Sequence, residues 1–154
     1  MNVSFSDEQT RTIDESAIVA VATRALAHER FPERTELAIT AVTDVAIAAL
    51  KAEHLGIDEP TDVLSFPIDE LTPGEPPSTE PSGPPLLLGD VVIAPEFIAR
   101  QAAANGVPES DELALMVVHG VLHLMGWDHE DDAQAEAMES RERAILAGVG
   151  VVRR

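Results

Sequence analysis

The strongest constraint on this chain is the run His119-Gly120-Val121-Leu122-His123-Leu124-Met125-Gly126-Trp127-Asp128-His129. It holds three of the chain's five histidines within eleven residues. His119 and His123 are spaced i, i+4, so on a helix they leave one face a turn apart. Gly126 allows the chain to leave that helix in a left-handed turn, which can return His129 toward the first two rings. Three imidazoles leave the fourth position of a tetrahedral zinc ion open to water, as in a catalytic site and unlike a closed structural one. The residues around them, Leu113, Leu115, Met116, Val117, Val118, Val121, Leu122 and Leu124, make the helix apolar nearly all round, which predicts a central, buried element. Buried polar rings need partners, and one shared metal ion satisfies all three.

The run shares the H-x-x-x-H-x-x-G-x-x-H skeleton of the metzincin proteases, where Glu follows the first His and acts as general base. Here that position is Gly120, which has no proton chemistry, so the reading turns away from peptide hydrolysis. The absence of cysteine excludes disulfides and thiolate ligands, leaving imidazole and carboxylate for a transition metal.

At 154 residues and 45% apolar content the chain suits one domain, 1–154, with a real core. Periodicity predicts a strand at 3–5, a helix over 14–29 capped by Asp14, a strand at 36–42 and a helix from Thr43 or Asp44 to about His54. A strand at 62–66 ends at Pro67. Residues 69–85 hold six of the eleven prolines and read as an exposed loop, either bordering the site or a surface insertion. A buried strand at 86–94 precedes a helix from Pro95 to Asn105. Ser110 is expected to cap the histidine helix, and a last helix spans 131–147. The mixture predicts an α+β fold: a small mixed sheet of four strands with packed helices.

Outside the histidines, Asp90 follows Gly89 on an apolar strand, needs a partner and is expected near the site as a further catalytic residue. Asp128 reads equally as a group orienting an imidazole or as a polar turn residue. Ser65 reads as a structural hydrogen-bonding group ahead of a substrate contact. Glu112, two turns before His119, is too far to ligate. His28 and His54 sit among charged residues at helix ends and should face solvent.

Written as H-G-x-L-H-L-x-G-x-D-H, the histidine run resembles the signature of the YbeY family, bacterial endoribonucleases of ribosomal RNA maturation. Thr61-Asp62-Val63-Leu64-Ser65-Phe66-Pro67 and Leu88-Gly89-Asp90-Val91-Val92-Ile93 support the resemblance, in the expected order and over most of the chain. It implies a zincin-like metal helix and one Zn2+ on His119, His123 and His129. It implies cleavage of single-stranded RNA at the 3′ end of small-subunit (16S) ribosomal RNA, and a part in ribosome quality control. The partners it implies are the small ribosomal subunit and assembly factors such as a GTPase of the Era type. One position departs: the family carries Arg where this chain has Leu55, and no Arg occurs between Arg34 and Arg100.

Charge opposes a simple nuclease reading. Ten basic residues face 28 acidic ones, a formal charge of −18, and aromatics amount to four Phe, one Trp and no Tyr. Nucleic-acid binders usually show a basic footprint, so affinity for free RNA should be poor and a ribosomal particle should present the substrate. Two other readings stay open: a metallopeptidase or other metallohydrolase recruiting Asp90 or Asp128, and a ribosome-assembly binding protein with a structural metal. The N-terminus lacks a signal-peptide pattern and no apolar run is long enough to span a membrane, so a cytoplasmic protein without membrane contact is expected.

Overall fold

The computed structural model describes residues 1–153. Its elements follow as β1 (Asn2–Asp7), α1 (Glu15–His28), β2 (Thr35–Ala41), α2 (Asp44–Leu55), β3 (Val63–Pro67), β4 (Leu86–Ile93), α3 (Pro95–Asn105), α4 (Glu109–Leu124) and α5 (Asp132–Ala147). The strands form one mixed sheet in the order β1-β2-β4-β3. β1, β2 and β4 run parallel, and β3 closes one edge antiparallel to β4. The α+β expectation of a small four-stranded mixed sheet is therefore met.

Local chemistry accounts for most boundaries. The Asp14 carboxylate accepts from Ala17 N and the Thr43 hydroxyl from Ala46 N, capping α1 and α2. α3 starts on Pro95 and ends where Gly106 takes a left-handed φ of 68°. α4 differs from expectation, because it begins at Glu109 and Ser110 lies inside its first turn. Pro108 stands at the cap position with φ −60°, and its carbonyl accepts from the amides of Asp111 and Glu112. The proline ring presets the entry to the helix, so no hydroxyl cap is used.

Strand alternation sorts the sheet into two faces. On one face Leu37, Ile39, Val91 and Ile93 join Leu26, Val117, Val121, Leu122 and Leu146 in the main core. On the other, α2 covers a smaller cluster through Ile47, against Val42, Val92 and Ala94. α4 crosses the main face over β3 and β4 and is flanked by α1, α3 and α5. It is thus the central helix that its apolar composition predicted. No helix among the described residues is long and apolar enough to cross a membrane.

A candidate three-histidine metal centre

α4 lies unusually close to the sheet at Gly120. A Cβ there would sit 2.8 Å from Val91 Cγ1, 3.0 Å from Val63 Cγ2 and 3.3 Å from Ser65 Oγ. The position that carries a catalytic Glu in metzincins is here the contact point between helix and sheet. The hydroxyl of Ser65 donates to the Gly120 carbonyl at 2.8 Å, a structural bond between β3 and the helix.

His119 and His123 project from the neighbouring flank of α4, roughly 60–100° around the helix from Gly120. After Leu124 the chain turns at Gly126, whose φ of 99° is costly for a residue with a side chain. A Cβ on Gly126 would also stand 2.2 Å from the Leu71 carbonyl oxygen. The turn is therefore packed beneath the start of the proline-rich loop, with Pro73 Cδ 3.3 Å from the same point. That loop has no helix or strand, as expected, and it borders the histidine turn. At its far end the Arg34 guanidinium donates to the carbonyls of Glu80, Pro81 and Gly83.

The turn returns His129 to the other two rings. Ring centroids lie 4.5 Å apart for His119 and His123, 5.5 Å for His119 and His129, and 5.2 Å for His123 and His129. One ring nitrogen from each falls within 4.8 Å of the others, and these three residues form the only metal-capable group among the described residues.

Hydrogen bonds on the outer ring nitrogens decide what the inner ones can do. His123 Nδ1 meets the Trp127 carbonyl at 2.9 Å, and His119 Nδ1 meets Glu142 Oε2 at 2.9 Å. A carbonyl and a carboxylate only accept, so each Nδ1 carries a proton, and a ring with no second proton presents an Nε2 lone pair. Those two Nε2 atoms face each other at 3.0 Å. At that distance the pair can share one proton or, after a small adjustment, one metal ion. Tetrahedral zinc with bonds of about 2.05 Å would set neighbouring nitrogens roughly 3.3 Å apart, so a few tenths of an ångström separate the two geometries. Burial, followed by the charge of His119, holds the His123 imidazole below the ordinary histidine range, against the Trp127 carbonyl and the Asp128 carboxylate. His123 is thus neutral near pH 7, the state a ligand needs.

Glu142 escaped the sequence reading. It lies on α5, 23 residues from His119, and is buried. Burial alone would raise its pKa, but the bond and charge of His119 and the Arg153 guanidinium outweigh it and hold the carboxyl below its ordinary range. A signal was present, since Met138, Glu142 and Ile145 share the buried stripe of α5. An acid on an apolar stripe needs a partner. The Trp127 backbone was also missed. Its indole N–H donates to the buried Glu29 carboxylate at 3.1 Å, and Arg141 stacks on the ring with its guanidinium carbon 4.7 Å from the centroid. Glu29 and Arg141 thereby hold the residue whose carbonyl orients His123.

Other candidates do not join the centre. Asp90 is exposed and, by alternation from Val91, points to the sheet face opposite α4, beside Asn2, Ser4, Glu36 and Ile68. The expectation of a catalytic Asp90 near the histidines is corrected by that strand parity. Asp128 accepts from His129 N at 2.8 Å, the local bond of a turn residue. Glu112 is buried but accepts from Gln101 Nε2 at 3.3 Å. His28 and His54 are exposed, the former bonded to Glu29 and the latter against the Phe66 ring. Leu55, at the end of α2, is 61% exposed.

A central helix over a mixed sheet, with two imidazoles on the helix and a third returned by a glycine turn, defines an α+β protein built around a group able to hold a metal ion. The family model for Endoribonuclease YbeY matches residues 2–150, and the chain belongs to the YbeY family. Endoribonuclease YbeY of Moorella thermoacetica is 44% identical over 138 residues, covering 90% of this chain and 88% of that protein. That of Micrococcus luteus is 39% identical over 149 residues, covering 97% and 92%. The solution structure of TM1509 from Thermotoga maritima superposes with a TM-score of 0.61 at 19% identity, over 96% of this chain and 91% of that one, a likeness of fold.

Proposed function

We propose that this chain is a zinc-dependent endoribonuclease that cleaves single-stranded RNA near the 3′ end of small-subunit ribosomal RNA, inside ribosomal particles in the cytoplasm. A role in ribosome quality control, beside assembly factors such as an Era-type GTPase, belongs to the same proposal. The observation that carries the metal is the convergence of one ring nitrogen each from His119, His123 and His129 within 4.8 Å of one another. Family membership, among relatives named as endoribonucleases, carries the reaction class.

A bound divalent ion supplies Lewis-acid neutralisation of charge on a phosphoryl oxygen and eases ionisation of a hydroxyl group near neutral pH. The chain's own residues hold that chemistry in place. Glu142 and the Trp127 carbonyl fix the rotation and tautomer of two rings. Burial keeps His123 neutral. His129 is exposed and leaves its side of the centre accessible to a substrate strand. No carboxylate stands where a peptidase base would be needed, because the sheet fills the space at Gly120 and Asp90 faces away. An ion held by His119, His123 and His129 would supply that ionisation in place of a side-chain base at either position.

The formal charge of −18 and Leu55 support a substrate presented by a particle over one captured from solution. They equally favour the second reading, an assembly protein whose metal is structural. The deciding experiment incubates the protein with a single-stranded ribosomal RNA fragment and with assembled small subunits. It includes chelator and His123→Ala controls and metal analysis of both proteins. The proposal expects one metal per chain, lost in the variant, and chelator-sensitive cleavage in the particle. Equal metal content in both proteins would remove the site. Metal without cleavage of either substrate would leave the assembly-protein reading.

A further inference from the structure

The two oxygens of Glu142 have separate partners. Oε2 accepts from His119 Nδ1 at 2.9 Å, and Oε1 accepts from Arg153 Nε at 3.0 Å. Arg153 also reaches Glu139, with Nη2 3.6 Å from Oε1. The segment after α5 delivers it there. Gly150 reverses the chain at φ 77°, the amide of Val151 donates to the Leu146 carbonyl at 3.0 Å, and Val151 packs on the main core. The Arg153 side chain is 20% exposed and that of Glu142 only 2%. Arg153 lies beyond the residues matched by the family model, which end at 150.

A carboxylate held at one oxygen can turn about its final torsion, whose energy profile is broad. Held at both oxygens, its plane is fixed and Oε2 stays against Nδ1. That bond fixes the ring rotation of His119 and keeps its proton on Nδ1, so Nε2 remains aimed at His123 and His129. We infer that Arg153 is a positioning residue for the three-histidine centre, acting through Glu142 to hold His119 in its ligating orientation and tautomer. The inference rests on the metal reading of the histidines. It also makes the link reciprocal: an ion on the histidines tightens the docking of Arg153 as much as Arg153 tightens the ion.

The test uses the full chain and its Arg153→Gln and Arg153→Lys variants, with Arg143→Gln as control because, among the described residues, Arg143 pairs with the exposed Glu136 and not with Glu142. Co2+ affinity is read by competition with a chromophoric chelator. The His119 tautomer is read in metal-free protein by long-range 1H–15N spectra. Arg153→Gln is expected to weaken Co2+ binding about tenfold and to convert His119 from the Nδ1–H form to a mixture. Lys should recover part of both, and the Arg143 control should change neither. A folded Arg153→Gln protein with unchanged affinity and tautomer would overturn the inference. A third measurement needs no variant: exchange of the Arg153 Nε–H with solvent should slow when the unaltered protein is saturated with Zn2+, and an unchanged rate counts against the link. If the unaltered protein takes up no Co2+, the metal reading fails by itself, while the tautomer comparison still decides the role of Arg153.

Discussion

The Ser65 hydroxyl donates to the Gly120 carbonyl at 2.8 Å, which pins the edge strand to α4 one residue after its first histidine. Because Gly120 has no side chain, the helix can lie against Val63 and Val91, and this contact sets the depth at which His119 and His123 are held.

Replacing Gly120 with Glu forces a buried side chain and its charge into that contact. Overpacking and an unpaired buried carboxylate together should cost about 3 kcal/mol or more. Urea denaturation of the metal-free variant measures this, and peptidase assays on a denatured protein should stay blank. A variant as stable as the parent, or one that cleaves peptides, would show that Gly120 is not packed as described. Ser65→Ala should cost only about 1 kcal/mol, the worth of one hydrogen bond.

Gly126→Ala tests the return of His129. Its φ of 99° and the Leu71 carbonyl oxygen 2.2 Å from the added carbon leave no room without moving the turn or the loop. Stability should fall by about 2 kcal/mol, and Zn2+ affinity should fall with it because the third ligand is displaced. Calorimetric titration with Zn2+ measures the second effect. Loss of stability with full metal affinity would mean that the loop yields and the histidine turn does not.

His123 couples stability to pH. Its folded pKa is depressed, so as pH falls the unfolded chain takes up the proton first. The contribution of this group is complete above about 6.5, the ordinary histidine value, and is lost as pH falls through the depressed folded value. The metal-free protein should therefore lose stability below that point more steeply than His123→Gln. Comparing the two cancels the relief of repulsion among the acidic surface groups. Equal slopes in urea unfolding from pH 7.5 to 5 would contradict the buried, neutral ring. The depressed Glu142 carboxyl acts with the same sign at lower pH, below the ordinary carboxylate range.

Leu55→Arg places a cation at an exposed position. Free single-stranded RNA should bind more tightly, with the log–log salt slope steeper by about 0.7 for one added phosphate contact. Under the proposed function, cleavage in assembled subunits should change little, since a particle that presents the strand would supply its orientation. Tight, steeply salt-dependent binding of free RNA by the unaltered protein would defeat the account built on its charge.

The three-histidine group could be read from the sequence because it depends on local geometry. The i, i+4 spacing of His119 and His123 and the glycine before His129 act within eleven neighbouring residues, where helix periodicity and backbone freedom suffice. Strand and helix identities followed for the same reason, with Ser110 misplaced as the cap because Pro108 presets the helix entry without a side-chain bond. Asp90 could not be placed that way. Which parity of β4 faces the helix is settled by packing against Gly120, and a shift of one residue would exchange its faces. The partners of the imidazoles lie further still: Glu142 reaches His119 from α5, and Arg153 reaches Glu142 from the segment beyond it. The sequence determined which atoms can hold an ion. Only the tertiary structure decided which way those atoms point, because orientation comes from hydrogen bonds between elements that no local pattern encodes.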